Sequence, residues 1–198
     1  MVAITASVCL SFNRAEALQA SAGSPQNTNT DFIRQSCASS LYSSLCYTSL
    51  APYANAVAQD PIRLACVACN VSLAHIRSVS SHVSSVLHGP DARQLDKRTV
   101  SALQDCEETL GDGSDLTGQS IAELELLPSA KGTEVAWRVS NAQTWMSAAL
   151  TNENTCVDGL TSASSSAVKA DVTRRVRQAG QYTSNALALV NLLVGPNA

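Results

Sequence analysis

Thr144-Trp145-Met146-Ser147-Ala148-Ala149-Leu150-Thr151, followed by Asn154-Thr155-Cys156-Val157-Asp158-Gly159-Leu160, decides the fold of this chain. Val135, Val139, Ala142, Met146 and Ala149 recur at steps of 4, 3, 4 and 3, which is the spacing of one helical face. An amphipathic helix is expected to end in the quoted stretch, with Cys156 following within a turn of polar chain. Upstream, Ala102-Leu103-Gln104-Asp105-Cys106 sets another cysteine on another apolar face. The two segments point to long helices stapled side by side.

The rest of the chain has the same rhythm. Leu64, Ala68, Val71, Ile76, Val79, Val83 and Val86 form one face, stopped at His88-Gly89-Pro90-Asp91. Leu95, Val100, Leu103, Cys106 and Leu110 form a second. Val168, Val172, Val176, Ala179, Thr183, Ala186, Val190 and Leu193 form the last, stopped at Gly195-Pro196. Four such helices with short connections read as an antiparallel bundle spanning residues 61–196. Gly111, Gly113 and Gly118 interrupt the second face, each costing about 1 kcal/mol against Ala, so that helix is expected to kink or end near Gly111 and restart near Gln119. Ser162-Ala163-Ser164-Ser165-Ser166 reads as a linker closing on a helix cap.

Ahead of the bundle, Asp31-Phe32-Ile33-Arg34-Gln35-Ser36-Cys37, Tyr42-Ser43-Ser44-Leu45-Cys46 and Leu50-Ala51-Pro52-Tyr53 suggest a helical hairpin over residues 31–60. A piece so small needs a surface to dock on: the bundle, a partner or a second copy. Residues 23–30 read as a flexible N-terminus. Residues 1–22 hold a short apolar run around Cys9 and the small-x-small pattern Ala20-Ser21-Ala22, which together read as a signal peptide. No basic residue precedes the run, so its start reads as incomplete.

Composition agrees with secretion of an all-α protein. Of 198 residues 45% are apolar but only 4% aromatic, so the core must be built from Leu, Val, Ile and Ala. A formal charge of −3 offers no field for nucleic acid, and no run approaches the ~20 apolar residues of a membrane span. Cys37 and Cys46 bracket a short loop; Cys106 and Cys156 close one of about fifty residues. By the chain-entropy argument, bridging them would contribute about 2.7 and about 4 kcal/mol respectively.

Several residues could carry chemistry. Cys66-Val67-Ala68-Cys69 is a CxxC, but it lacks the strand-to-helix setting of a redox site and the further ligands of a zinc site. It reads as two thiols inside a helix, buried or partly oxidised. His75 and His82 lie on one side of that helix with no carboxylate at catalytic spacing. Lys169, Arg174, Arg175 and Arg177 make a basic stripe, read as a solvated face with contact to an acidic polysaccharide as the alternative. Trp137 and Trp145 are expected in or beside the core. Asn70-Val71-Ser72 is an N-glycosylation sequon inside a helix. Glu108, Asp112 and Asp115, at i, i+4 and i+7, align three carboxylates on one helical side, where like charges repel mildly. Such alignment is either a solvated edge or a recognition surface. No nucleophile elbow, HExxH, phosphate loop or dinucleotide fingerprint is present, and no cofactor is implied.

The order Cys37, Cys46, Cys106, Cys156, with Ala102-Leu103-Gln104-Asp105-Cys106, Trp145-Met146-Ser147-Ala148-Ala149-Leu150-Thr151 and Thr155-Cys156-Val157-Asp158-Gly159, resembles the plant invertase and pectin methylesterase inhibitor family across roughly Asp31 to Pro196. Leu160 stands where that family usually has Phe, and the three glycines after Leu110 are a larger departure. The resemblance implies a four-helix bundle with an N-terminal hairpin, bridged Cys37–Cys46 and Cys106–Cys156. It implies a non-enzymatic, secreted cell-wall inhibitor that covers the pectin-binding cleft of pectin methylesterase in a reversible 1:1 complex, with dimerisation through the hairpin as a further expectation. Carried over by position, the partner interface comprises Glu108, Asp112, Asp115, Thr155 and Asp158. The Pro-Lys-Phe tripeptide common in invertase inhibitors is absent, which tilts the reading from acid invertase toward pectin methylesterase. A structural or signalling bundle, and a thiol enzyme using Cys66 and Cys69, stay open as alternatives.

Overall fold

The computed structural model describes residues 25–164 and 167–194. Four long helices, α4 (Pro61–His88), α5 (Lys97–Leu126), α6 (Thr133–Gly159) and α7 (Ala167–Asn191), follow three short ones, α1 (Pro25–Cys37), α2 (Ser43–Leu50) and α3 (Ala54–Val57). Among the described residues there is no strand. The expected signal segment, Cys9 and the Gly195-Pro196 stop lie outside them. Each long helix packs on two others, closing the ring α4–α5–α6–α7 of an antiparallel four-helix bundle. The hairpin formed by α1 to α3 rests on α4 and α7. Of the three surfaces the sequence left open to it, the bundle is the one it uses here.

Local chemistry sets the helix starts. Asp60 accepts hydrogen bonds from the backbone N–H groups of Ile62 and Arg63 at 2.8 and 3.2 Å, with Pro61 at the first helical position. Asp96 does the same for Arg98 and Thr99 at 3.0 and 3.1 Å and also accepts from the Thr99 hydroxyl at 2.7 Å. These bonds pull the Asp96 carboxyl down to about 2, Thr99 contributing most. Caps of this kind stabilise a helix by about 1 kcal/mol each. Between α3 and α4 the chain reverses through Ala58 and Gln59, at φ 48° and 62°.

Four expectations need correction. Residues 25–30 are not a flexible arm: α1 begins at Pro25, and Asn29 Oδ1 accepts a hydrogen bond from Gln59 Nε2 at 3.0 Å. α5 neither kinks nor ends at its glycines but runs 30 residues to Leu126. α6 does not stop before Cys156; it continues to Gly159. Trp137 is 58% exposed rather than packed in or beside the core. For α5 the reason is tertiary: it packs most extensively on α6, and burial along that seam offsets the glycine penalty. Gly113 is buried there, where an added Cβ would lie 3.6 Å from the Ala149 carbonyl oxygen and 3.8 Å from Asn152 Cβ. Gly111 and Gly118 face open space.

The interior is divided. One apolar cluster, at the hairpin end, gathers Ile33, Leu50, Val57, Leu64, Leu124, Met146 and Leu189 among others. The second gathers Ile76, Val83, Leu103, Leu110, Leu160, Val172 and Val176. On every long helix the residues between the two clusters include buried polar groups: Ser72 on α4, Thr117 and Ser120 on α5, Glu153 on α6 and Thr183 on α7. By length and composition α4 could cross a bilayer, but its apolar residues are the ones that fill these cores. Cys37–Cys46 ties the hairpin, with Cα atoms 5.7 Å apart; Cys106–Cys156 ties α5 to α6 at 4.4 Å.

Candidate functional site: an acidic helical face and a buried carboxyl

Glu108, Asp112 and Asp115 are all exposed on the unbroken α5. They run opposite its buried line of Cys106, Leu110, Gly113 and Thr117. Gly111 flanks this stripe and Gly118 continues that flank, so the surface beside the acids has no side-chain relief. Thr155 and Asp158 are exposed on α6, either side of Cys156. The Thr155 hydroxyl donates to the Thr151 carbonyl oxygen at 2.9 Å. The Cys106–Cys156 bridge holds the turns bearing Glu108 and Asp158 next to each other. What the structure contributes is a stiff, low-relief acidic surface on α5 with polar groups of α6 set beside its anchor point.

The remaining candidates resolve into structural roles. Cys66 and Cys69 are both fully buried on α4. Burial pushes the Cys69 thiol up to about 12, although a hydrogen bond with Ser120 pulls the other way. Such a thiol has no thiolate available for nucleophilic work. Asn70 is half-buried and its amide donates to the Cys66 carbonyl oxygen at 2.9 Å, so the sequon nitrogen is already engaged. Among the described residues no group of three or more His, Cys, Asp and Glu could hold a metal ion.

The histidines have partners that spacing along one helix could not reveal. His75 stacks on Tyr182 of α7 with ring centroids 3.7 Å apart, and burial lowers its pKa. His82 Nε2 lies 2.8 Å from Asp171 Oδ2 across the α4–α7 seam. The same carboxylate receives Arg175 at 2.8 Å and also Arg174, and with Arg175 the leading cause it is held at about 2. The basic stripe is therefore partly neutralised from within. Lys169 Nζ donates to the carbonyl oxygens of Thr161 and Ala163, each at 2.9 Å, tying the start of α7 to the turn that follows α6.

One group went unread in the sequence. Glu153 on α6 is only 1% exposed. Its Oε1 accepts from the Thr183 hydroxyl at 3.0 Å, and Thr183 Oγ1 lies 2.8 Å from Ser72 Oγ. Its Oε2 has no hydrogen-bond partner among the described residues. Burial pushes its pKa up to about 8, the Thr183 hydrogen bond opposing. The signal was there to follow: extending the face Val139, Ala142, Met146, Ala149 by steps of 4 and 3 lands on Glu153 and then Cys156.

Comparison with known proteins agrees with this architecture. Residues 31–189 match the family described as plant invertase/pectin methylesterase inhibitor. Pectinesterase inhibitor 11 of Arabidopsis thaliana is 40% identical over 181 residues, covering 88% of each protein. Pectinesterase inhibitor 10 of the same plant is also 40% identical, over 165 residues; the match takes in 83% of this chain but about half, 52%, of that longer relative. A crystal structure of a mutant form of a pectin methylesterase inhibitor from Arabidopsis superposes with a TM-score of 0.63, over 80% of this chain and 94% of that one, at 18% identity. At that identity the superposition establishes the fold. With the family match spanning most of its length, this chain belongs to the plant invertase/pectin methylesterase inhibitor family.

Proposed function

We propose that this protein inhibits pectin methylesterase in the cell wall, forming a reversible 1:1 complex in which a rigid helical surface occludes the esterase's pectin-binding cleft. The observation that carries the reading is the match along nearly the whole chain to relatives named pectinesterase inhibitors. The exposed acids Glu108, Asp112 and Asp115, with Thr155 and Asp158 beside the disulfide, supply the contact surface. The protein contributes no catalytic group; exclusion of pectin is sufficient. A preformed, disulfide-tied surface loses little conformational entropy on docking, which favours affinity. The unbroken α5 and its glycine flank suit close approach to a partner's cleft walls.

The test is a side-by-side titration of the purified protein against pectin methylesterase and acid invertase. Stoichiometric inhibition of the esterase alone is expected; inhibition of invertase alone, or of neither, would overturn the reading. Changing Asp112 and Asp115 together to Asn should weaken esterase inhibition roughly tenfold. Unchanged curves would remove these two residues from the interface.

A further inference from the structure

Next to Glu153 is a cleft of ≈400 Å³ that the inhibitory face does not use. It opens between α6, α7 and the turn of the hairpin. Leu150, Val157 and Val176 give it apolar walls, Leu41 and Tyr42 of the hairpin turn overhang it, and Arg177 stands at its exposed rim. Its volume falls within the roughly 300–1,000 Å³ of small-molecule sites, which combine apolar walls with a few placed polar groups.

Two features make it a built site rather than a gap in packing. Glu153 lines it, and its buried carboxyl has one oxygen, Oε2, without a hydrogen-bond partner among the described residues. A buried polar atom left in that state is costly, and native structures hold few of them. Gly180 stands directly over that oxygen. A Cβ at this position would lie in van der Waals contact, 3.6 Å from Glu153 Oε2 and 3.6 Å from Leu150 Cδ1, so the glycine puts no side chain between that oxygen and the cleft. The leucine at the mouth, Leu41, is 77% exposed, an apolar side chain with little to cover it.

We propose that this cleft binds a small amphipathic carboxylic acid. Its carboxylate meets the Arg177 guanidinium, its apolar body lies against Leu41, Leu150, Val157 and Val176, and a hydroxyl at its far end hydrogen-bonds Glu153 Oε2 past Gly180. A hydroxyl serves either protonation state of the glutamate, because it both donates and accepts. The guanidinium selects a carboxylate over a neutral head by charge-assisted, geometrically matched hydrogen bonds. Because Leu41 and Tyr42 belong to the hairpin, an occupant would touch hairpin and bundle at once.

The probe is para-hydroxyphenylpropanoate, titrated into the full, isotope-labelled protein while backbone amide resonances are followed. Saturable shifts confined to Leu41, Val157, Arg177, Gly180 and their neighbours are expected. Arg177→Gln, an exposed change that leaves the core intact, should weaken the probe about tenfold. The amide of the probe should lose a similar factor, and phenylpropanoate, lacking the hydroxyl, should bind more weakly than the parent. Gly180→Ala should weaken binding by setting a methyl against Oε2. An absence of saturable shifts, which would leave water as the only occupant, overturns the proposal; so do shifts that survive both Arg177→Gln and removal of the hydroxyl. No esterase enters the experiment, so its result is independent of the inhibitory reading.

Discussion

The two halves of the bundle interior are alike in composition and different in how they are held. At the hairpin end, α1 to α3 lie over α4 and α7, and the Cys37–Cys46 bridge ties only the hairpin to itself. Apolar burial joins that hairpin to the bundle, and one side chain adds a specific anchor. Asn185, buried on α7, accepts from the Tyr42 backbone N–H at 3.3 Å and donates to the Tyr42 carbonyl oxygen at 3.1 Å. At the far end the Cys106–Cys156 bridge joins two bundle helices directly across 50 residues of chain. The difference teaches where two long helices are bridged to each other: α5 to α6, beside the proposed interface.

The contrast yields an ordered set of expectations. Replacing Cys106 and Cys156 together with Ser should cost about 4 kcal/mol in urea unfolding, while the same change at Cys37 and Cys46 should cost about 2.7 kcal/mol. Equal costs would show that the two ends are constrained alike.

Next in size is the polar layer between the halves. The folded Glu153 carboxyl titrates at about 8 against an ordinary 4.5. Below about pH 4.5 folded and unfolded chains both hold the proton. Between there and pH 8 only the folded chain does, so stability falls with rising pH, by a few kcal/mol in all, and levels off above it. Glu153→Gln should remove that slope, seen as a difference in denaturant midpoints between pH 5 and pH 8 relative to the parent protein. Parallel pH profiles would mean that the carboxyl is not buried as described.

A smaller effect is expected from Asn185→Ala, which leaves the peptide group at Tyr42 without its partner. Hydrogen-exchange protection of α1 and α2 should drop by about 1–3 kcal/mol while α5 and α6 keep theirs. Loss spread evenly over all helices would make the hairpin an integral part of a single cooperative unit. Smallest of all, Gly111→Ala and Gly118→Ala should each stabilise the protein by up to about 1 kcal/mol, because the new methyl meets nothing within 4 Å. If the flank of the acidic stripe contacts the esterase, the same changes should weaken inhibition.

Much of this architecture was legible in the residues. Apolar steps of three to five located α4, α6 and α7, and the cysteine order with its flanking motifs pointed to the fold. The misreadings share a cause: local propensity was weighed where tertiary contact governs. Three glycines looked like a break in α5, yet a long partner helix carries the chain through them. Residues 25–30 looked like a loose polar arm, yet a hydrogen bond from Gln59 reaches back to Asn29 within the first helix. His82 looked unaccompanied because its carboxylate, Asp171, is 89 positions away in sequence and adjacent only in the bundle. Glu153 was passed over because charge argues for solvent, although the helical period placed it inside. For the interface residues the chain shows exposure and alignment, while the partner's shape is written elsewhere.

The Asn185 fork has a consequence for how this scaffold can vary. It reads the main chain at position 42, and every amino acid except proline offers the same pair of atoms there. The tip of the hairpin is thus free to change its side chains without losing its mooring, so long as an amide-bearing residue stays at position 185. Tolerance at one site is secured by invariance at another, and a library randomising Leu41 and Tyr42 while excluding proline at 42 should return mostly folded proteins.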